Sequence, residues 1–291
     1  MFESSRPIIV IAGPTASGKS SISINLAKEI NGVIINTDSR QIYKEISIGT
    51  AKPSKKEMEN IPHFLYGHIS VKDNYNIYKY QNDVKDVLDN LTKEQVPILV
   101  GGTGLYIDSV IFNYNLEDKD IDKKKREELK NLSLEELQKL IDPKILKKLN
   151  ESDRNNPVRL IRIIEKGDKT EKKGEELNHK YFVIDIEKDI LNKRIENRVE
   201  IMIKNGLIEE NIMIRKNELH NYPALKTIGY QEFDEYFEKN KSIDEVKKEI
   251  VKNTKKYAKR QRTWFRKHKH AIWTNNYDLI LDESLKLIKT S

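Results

Sequence analysis

Near the amino terminus, Gly13-Pro14-Thr15-Ala16-Ser17-Gly18-Lys19-Ser20 has the spacing G-x-x-x-x-G-K-[ST]. Residues of these types in this order are suited to holding phosphate. Gly13 and Gly18 let the backbone wrap so that its N–H groups point inward, and a following helix adds the positive end of its dipole. Lys19 supplies a mobile cation, and the Ser20 hydroxyl can ligate Mg²⁺. The chemistry is therefore that of a diphosphate or triphosphate, carried by a nucleotide or by any other organic pyrophosphate.

Two further segments belong beside that loop. Asp38-Ser39-Arg40-Gln41-Ile42-Tyr43 follows an apolar run, and so does Gly101-Gly102-Thr103-Gly104-Leu105-Tyr106. In a doubly wound sheet the carboxyl ends of neighbouring strands open onto one crevice. Asp38 would there ligate Mg²⁺ or take a proton from an acceptor. Asp-Ser is equally good turn chemistry, so an N-cap or turn role stands beside the chemical one. The glycines at 101, 102 and 104 permit close approach of a ligand, or simply turn a strand into a helix.

The elements that must position these residues are legible as hydrophobic patterns. Ile8–Ala12, Val33–Ile35 and Pro97–Val100 are continuous apolar runs, the mark of strands buried on both faces. Helical patterns cover Ser20–Glu29 and Tyr78–Leu91, and a strand pattern returns at Tyr181–Ile186. Strands alternating with helices predict an α/β fold: a P-loop-type doubly wound parallel sheet. Between about Glu117 and Lys180 the chain is dense in Lys and Glu, with Leu129, Leu132, Leu137, Leu140, Ile145, Leu146 and Leu149 at helical spacing. This predicts a helical insertion domain. The expected organisation is a core over 1–115, the insertion over 116–180, and the rest of the core over 181–291. Long helical segments are expected at Ile190–Lys204 and Ile243–Phe265.

The 291 residues are enough for a substantial core. With no cysteine, disulfides, thiolate nucleophiles and cysteine-based zinc sites are excluded. The six histidines have no metal-ligand spacing, so no zinc site is expected. No segment reaches the roughly 20 apolar residues of a membrane span, and the run Ile8–Ala12 is too short for a signal-peptide core. A cytoplasmic enzyme without membrane attachment is expected.

The net charge of +7 is unevenly spread. Lys252 to His270 holds nine Lys and Arg residues (252, 255, 256, 259, 260, 262, 266, 267 and 269) and no acid. A neutral and apolar stripe, Ile250, Thr254, Tyr257, Gln261 and Trp264, runs through it at helical spacing. One face would pack on the core and leave the cations outward, a phosphate-backbone footprint for RNA. A merely solubilising charged face is the plain alternative. Trp264 and Trp273 read as core anchors.

The segments 13–20 and 38–43, with Ile-Gly-Thr-Ala-Lys-Pro at 48–53 and Val-Gly-Gly-Thr-Gly-Leu-Tyr at 100–106, together resemble the tRNA dimethylallyltransferase family. So do Pro62-His63, Asn-Pro-Val-Arg-Leu-Ile-Arg (156–162), Ile-Gly-Tyr (228–230) and Lys-Arg-Gln-Arg-Thr-Trp-Phe-Arg (259–266), all in family order. The resemblance implies transfer of a dimethylallyl group from dimethylallyl pyrophosphate to the N6 amine of the adenine 3′ of the anticodon in tRNA. It implies that residues 13–20 seat the pyrophosphate, with Mg²⁺ near Ser20; loops of this signature are commonly ATP-binding, but here the donor itself carries the pyrophosphate. Asp38 would be the general base, with Ser20 and Lys226 also in the catalytic set. Asp38, Ser39, Arg40, Gln41, Thr103, Arg159 and Arg162 would contact tRNA, as would Lys259, Arg260, Arg262 and Arg266 of the basic helix. The family often carries Arg where this chain has Lys226, and Lys cannot grip a phosphate with two parallel bonds. The chain is expected to act as a monomer.

Three rival readings share parts of this pattern. A small-molecule P-loop kinase would use the same loop, but leaves the basic helix unexplained. A prenyltransferase acting on a free nucleotide such as AMP would need no insertion. A non-catalytic RNA-binding module would leave Asp38 and the loop without a purpose.

Overall fold

Strands apolar at every position are stable only when covered on both faces, and this fold supplies the cover with helices. The computed structural model describes residues 6–116, 123–166 and 173–290. Residues 1–5, 117–122, 167–172 and 291, which fall within the expected core and insertion, lie outside the described residues. The chain forms two units, Met1–Asn113 with Glu175–Ser291, and Tyr114–Gly174.

The first unit begins β1 (Ile8–Ala12), α1 (Lys19–Glu29), β2 (Gly32–Asn36), β3 (His63–Phe64), α2 (Ile77–Asp89), β4 (Val96–Gly101) and α3 (Gly104–Ile111). The second unit holds α4 (Lys123–Lys130), α5 (Leu134–Lys139), α6 (Pro143–Lys148), α7 (Glu151–Arg154) and α8 (Pro157–Lys166). The first unit then resumes with β5 (His179–Ile184), α9 (Lys188–Lys204), α10 (Leu207–Lys216), α11 (Asp234–Phe237), α12 (Ile243–Phe265), β6 (Ile272–Thr274) and α13 (Tyr277–Lys289).

All six strands form one parallel sheet in the order β3-β2-β4-β1-β5-β6. β1 is central, with Ile9 opposite Ile98 of β4 and Val10 opposite Tyr181 of β5. Its side chains alternate between two cores. Ile8 and Val10 pack with Tyr80, Val84, Ile107 and Phe265, from α2, α3 and α12. Ile9 and Ile11 pack with Ile24, Leu26 and Ile280, from α1 and α13. The expected doubly wound α/β fold is therefore present.

β5 starts at His179, two residues earlier than the pattern suggested, and Leu177 already packs in the first unit's core. β3 and β6 escaped the sequence reading because strands of two and three residues at sheet edges carry no periodic signal. In the second unit Leu129, Leu137, Ile141, Leu160 and Ile161 form a separate small core. Leu140, expected to join it, is exposed. α5 starts at a capping box between Ser133 and Glu136. Among the described residues, no helix is long and apolar enough to cross a membrane.

Candidate active site

The carboxyl end of β1 delivers the loop Gly13–Ser20, that of β2 delivers Asp38, and that of β4 delivers Thr103. Gly18 caps α1 with φ +94°, a left-handed conformation that a side chain would strain. The amide groups of Ala16, Gly18, Lys19 and Ser20 have no protein acceptor among the described residues. Lys19 folds back over the loop, its Nζ donating to Gly13 O at 3.0 Å and Pro14 O at 2.7 Å.

Three residues that the sequence reading did not assign to the site close the loop from outside. Arg194 donates to Ser17 O at 3.4 Å, and Arg198, one turn further along α9, donates to Thr15 Oγ1 at 3.1 Å. Gln261 of α12 accepts from the Thr15 amide at 2.9 Å and donates to Gly102 O at 2.9 Å. Burial, then the nearby Arg198 charge, push the Lys19 amine down to about 7, against the opposing pull of Asp38. Burial likewise lowers Arg198, again opposed by Asp38. Two cations enclosed together, with Asp38 facing both and Glu57 acting on Arg198 alone, form a site short of negative charge.

Asp38 has the turn role that the sequence offered, and it also lines the crevice. Its backbone N–H donates to buried Asn36 Oδ1 at 2.8 Å, and its own Oδ1 accepts from the Arg40 amide at 2.9 Å, so it builds the turn. Its other oxygen has no hydrogen-bond donor among the described residues, and Asp38 lines the crevice. Thr103 is tied to the same turn: Ser39 N–H donates to its hydroxyl at 3.0 Å. Burial first, then the Asp38 charge, raise the hydroxyl pKa of Tyr257, which lines the same crevice.

The crevice has two halves. One, of about 330 Å³, holds the phosphate loop, Gln41, Tyr66 and Gln261. The other, of about 400 Å³, combines Ser39, Arg40, Lys226, Tyr257 and Arg260 with an apolar wall of Ile195, Val199, Met202, Ile228 and Ile250. Thr15, Asp38, Thr50 and Arg198 line both halves. Thr50 is held there by a fourth unforeseen residue: Glu210 accepts from the amides of Ser47, Ile48 and Gly49 and from Tyr230 Oη, at 2.7–3.1 Å.

Not every expected site residue gathers at the crevice. Exposed Lys226 reaches it but also lies 3.7 Å from Asp234, which Arg215 holds as well. Lys259 is exposed on α12, as are Lys252 and Lys256, and Arg266 is exposed just past its end. Arg262 instead turns inward, to Asp185 at 3.0 Å and Ile186 O at 2.8 Å, and Lys255 pairs with Glu196. The expectation that all nine cations point outward is corrected for Arg262, while Lys255 stays at the surface in an exposed pair; the end of β5 and α9 supply acids that the local sequence lacks. Arg159 and Arg162 are exposed on α8 of the second unit, Arg159 pairing with Asp153. Among the described residues no group of three or more His, Asp or Glu could hold a metal. Trp264 packs against the core and donates to Asp108 at 3.0 Å.

The sequence profile of the IPP transferase family matches residues 41–268, most of the chain. The chain belongs to this family. Curated tRNA dimethylallyltransferases of Thermoanaerobacter sp. (strain X514) and Thermoanaerobacter pseudethanolicus are each 37% identical to it over 285 residues, covering 91% of this chain and 90% of theirs. The crystal structure of a tRNA isopentenylpyrophosphate transferase from Staphylococcus epidermidis superposes with a TM-score of 0.73 at 33% identity, covering 98% of this chain and 100% of that one. The corresponding Bacillus halodurans structure gives 0.73 at 31%, covering 97% and 99%. A eukaryotic dimethylallyltransferase solved acting on tRNA gives 0.76 at 26%, covering 89% of this chain and 70% of that one. The IPP transferase fold thus accounts for both units, and the chain is a transferase of prenyl groups that modifies tRNA.

Proposed function

We propose that the chain transfers a dimethylallyl group from dimethylallyl pyrophosphate to the exocyclic amine of an adenine in tRNA, the one 3′ of the anticodon. One observation carries the site assignment. Asp38 stands where a phosphate-binding hollow and a part-apolar hollow meet, so a diphosphate ester on one side and a purine on the other would face each other across it.

The adenine amine is a weak nucleophile because its lone pair is delocalised, whereas the allylic carbon tolerates positive charge. The bond from that carbon to the diphosphate oxygen breaks, a bond from carbon to N6 forms, and N6 gives up a proton. The free oxygen of Asp38 is assigned that proton. Lys19, Arg194, Arg198 and the free amides of Ala16, Gly18, Lys19 and Ser20 take the charge growing on the leaving pyrophosphate. Preorganised donors of this kind are worth about 3–4 kcal/mol each. Arg198 thereby supplies a guanidinium near the phosphates, although Lys226 stands where the family often has Arg. The Ser20 hydroxyl is a hard oxygen donor that fits Mg²⁺, whose remaining ligands would come from phosphate and water. Mg²⁺ there would neutralise the leaving group further.

The acceptor base is stacked within its loop and must be extruded to reach the crevice. Exposed Lys252, Lys256, Lys259, Arg260 and Arg266 are assigned the RNA backbone, and the unit 114–174, with Arg159 and Arg162, is assigned a further tRNA contact. We assign the reaction to a monomer in the cytoplasm. The test offers labelled dimethylallyl pyrophosphate with tRNA, with AMP and with neither. Label should enter tRNA alone, and Asp38→Ala should abolish transfer while tRNA binding persists. Consumption of a nucleoside triphosphate in place of the prenyl donor would overturn the reading, and full transfer by Asp38→Ala would remove Asp38 from it.

A further inference from the structure

We infer that Gln261 sets the length of the phosphate chain that the loop accepts, admitting a diphosphate and rejecting a triphosphate. The inference rests on the reading of the loop as a pyrophosphate seat. It starts from where the loop's amides are spent. Ala16, Gly18, Lys19 and Ser20 keep theirs, while Ser17 N–H turns back to Pro14 O at 3.3 Å. The Thr15 amide is taken by Gln261 Oε1 and the Thr15 hydroxyl by Arg198. The donors of Thr15 are therefore taken by protein, and the free donors lie between Ala16 and Ser20.

The orientation of the Gln261 side chain is fixed by its partners. A backbone N–H can only donate, so Oε1 must face Thr15; a carbonyl can only accept, so Nε2 must face Gly102. A phosphate chain extended towards Thr15 would meet an amide oxygen, which carries lone pairs and repels phosphate oxygens. Gln261 is buried on a helix otherwise rich in cations, and Gly102 gives it room, since a Cβ there would overlap its Nε2. These contacts explain a buried neutral amide in the middle of a basic stretch. Gln261 is a specificity-determining residue that touches the loop rather than the reacting atoms.

Calorimetric titration with inorganic pyrophosphate and inorganic tripolyphosphate, each with Mg²⁺, tests this without tRNA or prenyl donor. The wild type should bind pyrophosphate the more tightly, by roughly tenfold or more, the worth of one hydrogen bond to a charged group. Gln261→Leu, similar in volume but without an acceptor, should narrow that ratio by a comparable factor. Gln261→Glu keeps an acceptor on the Thr15 amide while giving up the bond to Gly102 O, and the folded variant should retain the preference. A folded Gln261→Leu with the wild-type ratio, or a folded Gln261→Glu that loses it, overturns the role of Gln261 and leaves the pyrophosphate seat standing. A wild type that binds tripolyphosphate as well as pyrophosphate overturns the inference even if the leucine variant fails to fold. A wild type that prefers tripolyphosphate removes the pyrophosphate reading as well.

Discussion

Lys19 is held in a place that disfavours its charge, and replacing it with an uncharged side chain of similar length should remove a pH-dependent penalty from the empty protein. The fall from 10.5 to about 7 corresponds to ~5 kcal/mol of preference for the neutral amine in the folded state. The unfolded chain binds this proton up to pH 10.5 and the folded chain only below about 7. Between those limits the unfolded state carries more protons, so stability rises with pH. The penalty is complete below the lower limit and gone above the upper one. The crevice is open to water, which screens the charge, so about half of the full effect is a realistic lower figure. Losing the bonds to Gly13 O and Pro14 O costs the variant about the same at either pH, so the unfolding free energy of Lys19→Met relative to the wild type should be larger at pH 7 than at pH 10 by about 2–3 kcal/mol. Urea denaturation of both proteins across that range measures the difference, and titration of groups common to both cancels. A difference that is flat with pH would refute the claim that burial penalises this cation. The same variant should lose pyrophosphate affinity, since stability gained at a binding site is commonly function forgone.

Arg198→Met should weaken pyrophosphate binding by roughly ten- to a hundredfold, the loss of one charge-assisted contact, while leaving the urea midpoint of the empty protein unchanged or higher; calorimetry and denaturation report the two halves. Glu210→Ala leaves the amides of Ser47 and Ile48 and the Tyr230 hydroxyl without their acceptor, the Gly49 amide keeping only its bond to Tyr230 Oη. It should cost about 3 kcal/mol in urea and lower kcat/KM in the transfer assay, because the loop it holds carries Thr50 into the crevice. Unchanged stability would show that water replaces the carboxylate without loss.

The phosphate loop, Asp38 and the central strands were legible because each rests on short-range pattern: glycine spacing, a continuous apolar run, a turn residue at a strand end. The two long helices, α9 and α12, were likewise readable from their periodicity. The outer wall of the site was not. Arg194 and Arg198 sit on α9 among Lys193, Glu196 and Glu200, and an Arg pair four residues apart in such company looks like any solvated helix face. Only the packing of α9 against α12 shows that this pair faces Ser17 and Thr15. Gln261 was counted in the neutral stripe of α12, correctly buried, but its partners lie 246 and 159 residues away. Glu210 and Tyr230, separated by 20 residues, meet through a turn that no local periodicity announces. The unequal fates of the α12 cations have the same origin, since charge neutralisation by Asp185 and Glu196 is a tertiary fact.

The order of the sheet has a consequence for how the protein comes into being. β1 lies between β4 and β5, so one of its neighbours is made early and the other only after the whole of the second unit has been synthesised. A nascent chain that has just completed β4 owns the glycine loop and its lysine but has none of α9 or α12, hence no Arg198 and no Gln261. During that interval the loop is an unfinished anion trap, exposed on one side of its parent strand. Competence for catalysis arrives in the last third of translation, and any premature stop before α9 yields a polypeptide with the family's most recognisable motif and no enzyme around it.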